Sequence, residues 1–274
     1  MTRRGGLPHN RRVDTDAFVR DGFVTVRGAF DAETARACRE MIWDSLGEHG
    51  VSRDPATWAT PCVEINCPEG EPFAAAGTSP ALGAAYDELI GPGRWTRRAG
   101  AGGAVPVRFP SEEFPGNCGY HIEGSFAGPG PELELWVNVR SRARGLLVLF
   151  LFSDVGPDDA PTRLICGSHL YIPAILQRYG ETGLPSDDVS GRWRPSVLCR
   201  GTAHATGKAG DVYLCHPFIV HTATWPHRGA TPRMLAQPAV HVRDGFALDG
   251  TDPSPVAQAI VTGLTSYADS PRPR

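Results

Sequence analysis

Two histidines and one glutamate are the residues whose types and spacing most clearly suggest chemistry. His121 and Glu123 lie in GYHIEGSF, and His221 follows 100 residues later in AGDVYLCHPFIVHT. In an extended strand, residues i and i+2 point to the same side, so His121 and Glu123 can face one metal ion. A histidine from a distant strand can complete the set. Two histidines and one carboxylate occupy one face of a metal, which suits non-heme Fe(II) and its co-substrates.

Each part of this pattern also has a plainer interpretation. A histidine two residues before an acid can be a surface pair, and His221 can be a hydrogen-bonded core histidine. His216 competes with His221 as the third ligand, but at a separation of five residues the two face opposite sides of one strand. We favour His221 because it lies at the end of the predicted strand, where a site can open.

Arg233 is a further candidate, twelve residues beyond His221, at the start of the apolar segment RMLAQPAVHV. An arginine that enters a buried strand is costly unless its charge is paired. A protein acid can supply the pair. A small dicarboxylate can do so equally well, because guanidinium binds carboxylate through two parallel hydrogen bonds.

The composition is that of a folded globular protein. The chain has 274 residues, of which 41% are hydrophobic and 21% charged, and its net charge is −3. A chain of this length can bury a sizeable core, and its hydrophobic content argues against disorder. The slightly negative net charge argues against a nucleic-acid partner. No apolar run reaches the roughly 18 residues of a membrane-spanning helix, so we expect no membrane partner. The sequence indicates no particular oligomeric state.

Two further features suggest a cytoplasmic protein. The segment MTRRGGLPHNRR is basic but no apolar stretch follows it, so residues 1–13 are expected to form a flexible tail and not a secretory signal. The seven cysteines include no CxxC pair. We therefore expect reduced thiols, with neither a disulfide framework nor a structural zinc site, and nothing marks one cysteine as catalytic.

The elements that must position these residues begin with helices. Residues 14–28 are predicted to be a short helix followed by a strand, with Asp14 or Thr15 as the N-cap. Residues 80–90 are predicted to form another helix. The clearest helix is 31–48, with Asp31 as N-cap and with apolar residues at helical spacing, namely Ala35, Cys38, Ile42 and Leu46.

The pattern changes to strands from about residue 104. The segments that favour strands are AVPVRF, LELWVNV, LLVLFLFSDV, TRLICGSH, DVYLCHPFIVH and RMLAQPAVHV. Residues 170–205 form a longer excursion, with a short helix near 173–179, that is typical of a lid. We predict a mainly β chain with flanking helices and a double-stranded β-helix core, which is a cupin-like jelly roll. It would be one domain over 14–250, followed by a helix or tail over 251–274.

Taken in order, residues 16–242 resemble the phytanoyl-CoA dioxygenase-like (PhyH) family of Fe(II)- and 2-oxoglutarate-dependent oxygenases. FVRDGFVTVRGAFD is similar to the family's opening helix and strand, and GYHIEGSF to its HxD/E segment. LELWVNV matches the following strand. CGSH is similar to the PGSH turn, with Cys166 where proline is usual, and AGDVYLCHPFIVH…PHRGATPR resembles the closing His…Arg segment. Glu123 stands where most members have aspartate. Because a carboxylate is retained, the resemblance disfavours halogenation.

The resemblance implies a ligand set and a reaction. Fe(II) would be held by His121, Glu123 and His221, with O2 and 2-oxoglutarate as co-substrates and succinate and CO2 as products. The far carboxylate of 2-oxoglutarate would meet Arg233. Trp136 would pack beside it, and Arg108, on the strand before the site, would give a second contact.

The substrate is expected to be a small-molecule metabolite or natural-product intermediate. The reaction is expected to be its hydroxylation. Desaturation, epimerisation or ring formation would use the same site. Aromatic and arginine side chains suggest substrate contacts at Tyr120, Phe126, Arg140, Trp193 and Trp225. Two alternatives stay open. One is a cupin-like metalloenzyme that does not use 2-oxoglutarate, and the other is a non-catalytic binding barrel.

Overall fold

A computed structural model describes residues 12–130, 134–192, 195–198 and 200–267. Trp193, predicted to contact substrate, lies outside the described residues, as do residues 1–11 of the predicted tail. None of the helices in the described ranges is long and apolar enough to cross a membrane. Six of the seven cysteines are free thiols, and the seventh, Cys199, is not among the described residues.

The chain begins with the predicted helix and strand. Helix α1 (Thr15–Asp21) is capped by Asp14, whose carboxylate accepts a hydrogen bond from the amide of Ala17 at 2.8 Å. Gly22 ends it with φ of 90°, a left-handed conformation that turns the backbone directly into strand β1 (Phe23–Val26).

Seven further α-helices follow α1 in the described ranges. Helix α2 (Ala32–Gly47) is capped by Asp31 and buries the four apolar residues that define its predicted face. Helix α3 (Glu71–Gly77) was not expected from the sequence, whereas α4 (Pro80–Ile90) was. Later in the chain are α5 (Ile172–Leu176), α6 (Ser186–Ser190), α7 (Pro195–Leu198) and α8 (Pro255–Ser266), and α8 packs on α1, α4 and α5.

The strands pair in antiparallel fashion. The first six after β1 are β2 (Cys62–Asn66), β3 (Ala104–Arg108), β4 (Phe126–Ala127), β5 (Leu135–Val137), β6 (Arg144–Leu151) and β7 (Arg163–Ile165). The remainder are β8 (Leu184–Pro185), β9 (Thr202–His204), β10 (Val212–Cys215), β11 (His221–Thr222), β12 (Leu235–Ala236) and β13 (Ala239–His241). The largest sheet has the order β1-β10-β6-β12, with β13 also on β6. The smaller sheets are β11-β7-β9, β4-β5-β8 and β2-β3.

Strand β6 forms the centre of the molecule. Its residues from Gly145 to Leu151 are all buried, so both faces of the sheet are covered. Because side chains alternate along a strand, they divide between two apolar clusters. Leu146, Val148 and Phe150 join the main core, whereas Leu147, Leu149 and Leu151 join a smaller cluster on the opposite face.

Two segments predicted to be single strands are each divided. DVYLCHPFIVH contains β10 and β11, which belong to different sheets. Pro217 has no amide hydrogen to extend the β10 ladder, and the chain turns there, with the amide of Ile219 donating to the carbonyl of His216 at 3.0 Å. RMLAQPAVHV is likewise divided at Gln237 and Pro238 into β12 and β13, both paired with β6.

The architecture is a mixed assembly of helices and antiparallel sheets. Helices form a larger part of it than the prediction of a mainly β chain implied, because the excursion at 170–205 contains short helices around the strands β8 and β9. The described strands form four separate sheets. Closure of these sheets into a jelly roll stays a prediction at this level of description.

Candidate metal centre

A single antiparallel pairing brings the two predicted histidine ligands together. The amide of His121 donates to the carbonyl of His221, and the amide of His221 donates to the carbonyl of His121, both at 3.0 Å. The two rings lie with their centroids 4.3 Å apart. Residues separated by 100 positions in the sequence thus present side chains to the same space.

Backbone carbonyls select which nitrogen of each histidine is free. Nδ1 of His121 lies 2.8 Å from the carbonyl oxygen of Gly119, and Nδ1 of His221 lies 3.1 Å from that of Ile219. A carbonyl can only accept, so each Nδ1 carries the hydrogen. Each neutral ring therefore keeps the lone pair of Nε2 for a metal, which is the usual arrangement of histidine ligands.

Glu123 completes a compact set of ligand atoms. Its Oε1 lies 3.4 Å from Nε2 of His221 and 3.7 Å from Nε2 of His121, and the three ligand atoms all lie within 4.8 Å of one another. Ligands that are each about 2.1 Å from one metal ion lie about 3 to 3.5 Å apart. Nε2 of His221 is buried and has no hydrogen-bond partner among the described residues. The residues present fit a metal ion.

The carboxylate is held in its charged form. Burial raises the pKa of Glu123, but His121, His221 and the positive charge of Arg144 outweigh burial and bring this pKa well below its ordinary value. Burial lowers the pKa of His121, and the neighbouring Glu123 outweighs it, so this pKa is raised. An anionic glutamate between two imidazoles is a suitable donor set for a divalent first-row metal.

Arg144 is a further partner of this site, and the sequence analysis did not place it beside Glu123. It is the first residue of β6, and its Nη2 lies 3.6 Å from Oε2 of Glu123, while its Nε donates to the carbonyl oxygen of Gly124 at 2.8 Å. The available signal was the one used for Arg233. An arginine that enters a buried strand needs a pairing charge, and here a protein acid supplies it.

His216 is a core histidine and not the third ligand. It is fully buried against His169, with ring centroids 4.8 Å apart. Its Nδ1 accepts from the amide of Phe218 at 3.1 Å, and its Nε2 faces the carbonyl oxygen of Val256 at 3.3 Å. Burial and the neighbouring His169 hold the pKa of His216 well below its ordinary value. Both ring nitrogens are therefore satisfied within the core.

The two arginines predicted to bind the co-substrate are also paired through their backbones. The amide of Arg108 donates to the carbonyl of Arg233 at 3.0 Å, and the reverse bond measures 2.8 Å. Both side chains are buried, with 2% and 0% exposure respectively. Nη1 of Arg233 donates to the carbonyl oxygen of Ala160 at 2.6 Å, and Arg108 donates to the side-chain oxygen of Asn117.

Neither arginine has an acidic partner in the part of the chain that the structure describes. The Nε atoms of both are buried and lack a hydrogen-bond partner among these residues. Burial, followed by the charge of Arg108, lowers the pKa of Arg233 from its ordinary value to about 9. Of the two interpretations of Arg233, pairing with a protein acid is thus excluded for the described residues. An anionic ligand as the source of the pairing charge stays a prediction.

The arginine pair is attached to the same two segments that carry the metal ligands. Asn117, which binds Arg108, precedes His121 by four residues. Thr224 follows His221 by three residues and donates to the carbonyl oxygen of Pro161 at 2.6 Å. Pro161 comes directly after Ala160, whose carbonyl oxygen accepts from Arg233. Chain geometry limits three residues to about 10 Å. The metal ligands and the arginines therefore belong to one neighbourhood of the fold.

An open pocket adjoins Arg108, and its lining includes Ala160, Thr224, Trp225 and His227. Nε2 of His227 is buried without a hydrogen-bond partner among the described residues, while its Nδ1 accepts from the amide of Gly229 at 3.2 Å. Nε2 therefore carries a hydrogen that is free to be donated. The sequence analysis did not place His227 at this pocket, and only its position between His221 and Arg233 could have indicated it.

The structure places Trp136 on β5, directly opposite Phe126 on β4. The indole Nε1 of Trp136 donates to a carboxylate oxygen of Glu134 at 2.9 Å. The guanidinium of Arg142 lies over the ring of Phe126, 4.0 Å from its centroid. The described contacts do not join Trp136 to Arg233, so its position beside 2-oxoglutarate stays a prediction.

The remaining residues predicted to contact substrate are spread around this region. The hydroxyl of Tyr120 accepts from Nη1 of Arg163 at 3.3 Å, and Arg140 forms an exposed ion pair of 3.4 Å with Glu181. Trp225 is 49% exposed and stacks edge to face on Phe114. The roles of Tyr120, Arg140 and Trp225 toward a substrate stay predictions.

Comparison with known proteins identifies the fold. No protein-family model matches the sequence, and no curated protein matches it significantly. Among solved structures, the non-heme alpha-ketoglutarate-dependent carbocyclase SnoK from nogalamycin biosynthesis is similar at a TM-score of 0.56, with 16% sequence identity. The similarity covers 83% of this chain and 82% of SnoK.

Two further solved structures are similar over comparable lengths. The epimerase SnoN, in complex with Fe3+, alpha-ketoglutarate and nogalamycin RO, has a TM-score of 0.51 and 17% identity over 83% of this chain and 81% of its own. A putative oxidoreductase from Salmonella typhimurium LT2 has a TM-score of 0.53 and 14% identity, over 84% and 70%. Identities this low show a shared fold, and any activity must be argued from the site itself. The chain shares the fold of SnoK and SnoN.

Proposed function

We propose that the chain is a non-heme Fe(II)- and 2-oxoglutarate-dependent dioxygenase of the phytanoyl-CoA dioxygenase-like type, with a jelly-roll core. The observation that carries the proposal is the cluster of His121, Glu123 and His221, in which the buried Nε2 of His221 has no partner among the described residues. These three residues would hold the iron.

When bound, iron and 2-oxoglutarate would supply O2 activation coupled to release of succinate and CO2. The chain's own residues supply binding and orientation. The Nδ1 hydrogen bonds to Gly119 and Ile219 fix both imidazole rings. The buried surroundings of His221 exclude water from the inner side of the cluster.

The arginine pair supports 2-oxoglutarate as the co-substrate. Arg233 and Arg108 are two buried guanidinium groups for which the described residues provide no acid. A dicarboxylate that reaches from the metal would place its second carboxylate against Arg233, with Arg108 as a second contact. The free Nε2 hydrogen of His227 offers another donor in this region. Trp136 is proposed to pack beside the co-substrate.

The substrate is proposed to be a small-molecule metabolite or natural-product intermediate, which the enzyme hydroxylates in the cytoplasm. Two similar structures are those of a carbocyclase and an epimerase, so ring formation and epimerisation are further outcomes that this fold supports. Tyr120, Phe126, Arg140 and Trp225 are proposed to line the substrate site. The domain is proposed to span residues 14–250, with the excursion at 170–205 as its lid.

The test is an anaerobic titration of metal-free protein with Fe(II) and then 2-oxoglutarate, followed by visible absorption and calorimetry. We expect a charge-transfer band that requires both additions. His221→Ala should abolish iron binding. Arg233→Ala should retain iron binding and lose the band. His49→Ala, which removes an exposed histidine after α2, is the control and should behave as the wild type.

The same titration separates the alternatives. Iron binding without a band would refute 2-oxoglutarate dependence and favour a cupin-like metalloenzyme that uses no such co-substrate. Absence of iron binding in the wild type would refute the metal site and favour a non-catalytic binding barrel.

A further inference from the structure

The two oxygens of Glu123 have different partners. Oε1 faces Nε2 of both histidines, at 3.4 Å from His221 and 3.7 Å from His121. The contact to Nη2 of Arg144 is made by the other oxygen, Oε2, at 3.6 Å. The carboxylate therefore has one oxygen directed to the metal position and one directed to a guanidinium.

Arg144 is itself fixed by its surroundings. Its Nε donates to the carbonyl oxygen of Gly124 at 2.8 Å, in the residue directly after Glu123. Its side chain is 11% exposed. Arg144 is the first residue of strand β6, and the residues that follow it in this strand are all buried. The planar guanidinium thus contacts both the backbone beside Glu123 and the carboxylate of Glu123, a geometry that lysine cannot reproduce.

A glutamate at this position needs such support more than an aspartate would. Its side chain has one more rotatable bond, and each rotatable bond that must be fixed costs conformational entropy. A partner that already holds Oε2 reduces this cost before the metal binds. Partners of this kind orient metal ligands in many sites.

We propose that Arg144 is a positioning residue that locks the carboxylate of Glu123 so that Oε1 faces the two histidine Nε2 atoms. The proposal rests on the metal site of the proposed function. It assigns to Arg144 the compensation for the extra methylene of Glu123.

The sign of one measurement separates positioning from a simple charge effect. The positive charge of Arg144 lies next to a ligand of a divalent cation, and like charges repel. If charge were its only influence, removal of Arg144 would tighten metal binding. If Arg144 positions Glu123, removal loosens the ligand and weakens metal binding.

The test measures Co(II) binding to metal-free protein by calorimetry and by the visible d–d absorption of the bound ion. Arg144→Met should weaken binding by about 10- to 100-fold, the usual effect of removing a partner of a metal ligand, and should alter the d–d spectrum. Arg142→Met is the matched control. Arg142 lies two residues away and stacks on Phe126, so its loss should leave Co(II) affinity unchanged.

Two further variants separate geometry from charge. Arg144→Lys keeps the charge but not the two-point contact, so its affinity for Co(II) should be weaker than that of the wild type. As a single substitution, Glu123→Asp should weaken Co(II) binding. In the Arg144→Met background the same substitution should have little further effect on Co(II) binding. This lack of additivity would identify Glu123 and Arg144 as one unit.

One outcome would overturn the positioning proposal alone. In that outcome, Arg144→Met binds Co(II) as tightly as the wild type or more tightly, while Co(II) binding by the wild type still requires His221. Absence of Co(II) binding by the wild type would overturn the metal site and the positioning proposal with it. If Arg144→Met does not fold, as judged by circular dichroism, Arg144→Lys decides. Wild-type affinity in that variant would overturn positioning, and weaker affinity would support it.

Discussion

Replacement of Arg233 by methionine tests whether its buried charge is left for a ligand. Burial and the charge of Arg108 lower the pKa of Arg233 from its ordinary value to about 9. At about 1.4 kcal/mol per pH unit, this difference corresponds to about 5 kcal/mol against the charged form in the folded protein. Because the folded state binds this proton less tightly than the unfolded state, the destabilisation is fully present below pH 9 and therefore at pH 7.

Methionine removes the charge and keeps most of the volume. The variant loses the hydrogen bonds to the carbonyl oxygens of Ala160 and Pro106, which measure 2.6 and 3.5 Å. Leaving the buried carbonyl oxygen of Ala160 without a donor costs about 1 to 3 kcal/mol. The contact to Pro106 lies at the limit of hydrogen-bond distance, so its loss adds little. We therefore expect metal-free Arg233→Met without 2-oxoglutarate to be more stable than the wild type by about 2 to 4 kcal/mol, measured by urea unfolding at pH 7.

Arg94→Met is the matched control, because the same substitution should have the opposite sign there. Nη1 and Nη2 of Arg94 each lie 2.7 Å from a carboxylate oxygen of Asp252, whose side chain is 4% exposed. Loss of these charged hydrogen bonds should lower the free energy of unfolding by about 2 to 3 kcal/mol. A ligand-free Arg233→Met protein that is less stable than the wild type would refute the conclusion that the charge of Arg233 is uncompensated.

Three further predictions concern the histidines and the backbone. His221→Ala should abolish Co(II) binding in calorimetry. His216→Ala should keep the Co(II) affinity of the wild type and lower the free energy of unfolding in urea by about 2 to 4 kcal/mol, through the loss of core packing. The reverse result would exchange the roles of the two histidines. Burial lowers the pKa of His169 from 6.5 to about 4, so the unfolded state binds more protons in this window. His169 by itself should therefore lower the stability of the metal-free protein by about 2 to 3 kcal/mol between pH 7 and pH 4.5. Urea unfolding of His169→Gln should show a smaller loss over the same pH range, and an equal loss would contradict this assignment. Gly183→Ala should lower the thermal midpoint more than Gly180→Ala. Both glycines have positive φ, but an added Cβ at 183 would also overlap a backbone oxygen of β5. Similar midpoints for the two variants would disprove the overlap.

The sequence determined the local elements and the chemical types at the site. Helix α2 was predictable because its apolar residues recur at helical spacing and Asp31 supplies the cap, both of which depend only on neighbours in the chain. His121 and Glu123 were predictable as a pair because alternation along an extended segment is also a local property. The expectation that Arg233 is buried followed from the apolar residues after it.

Only the tertiary structure decided which distant residues meet. The choice between His216 and His221 depended on a turn at Pro217 that ends β10 and moves His221 to another sheet, opposite His121. The backbone pairing of Arg108 with Arg233 and the contact between Arg144 and Glu123 likewise join segments far apart in sequence. Such contacts are fixed by how sheets pack around the core, and residue spacing along one segment does not encode the register between two segments.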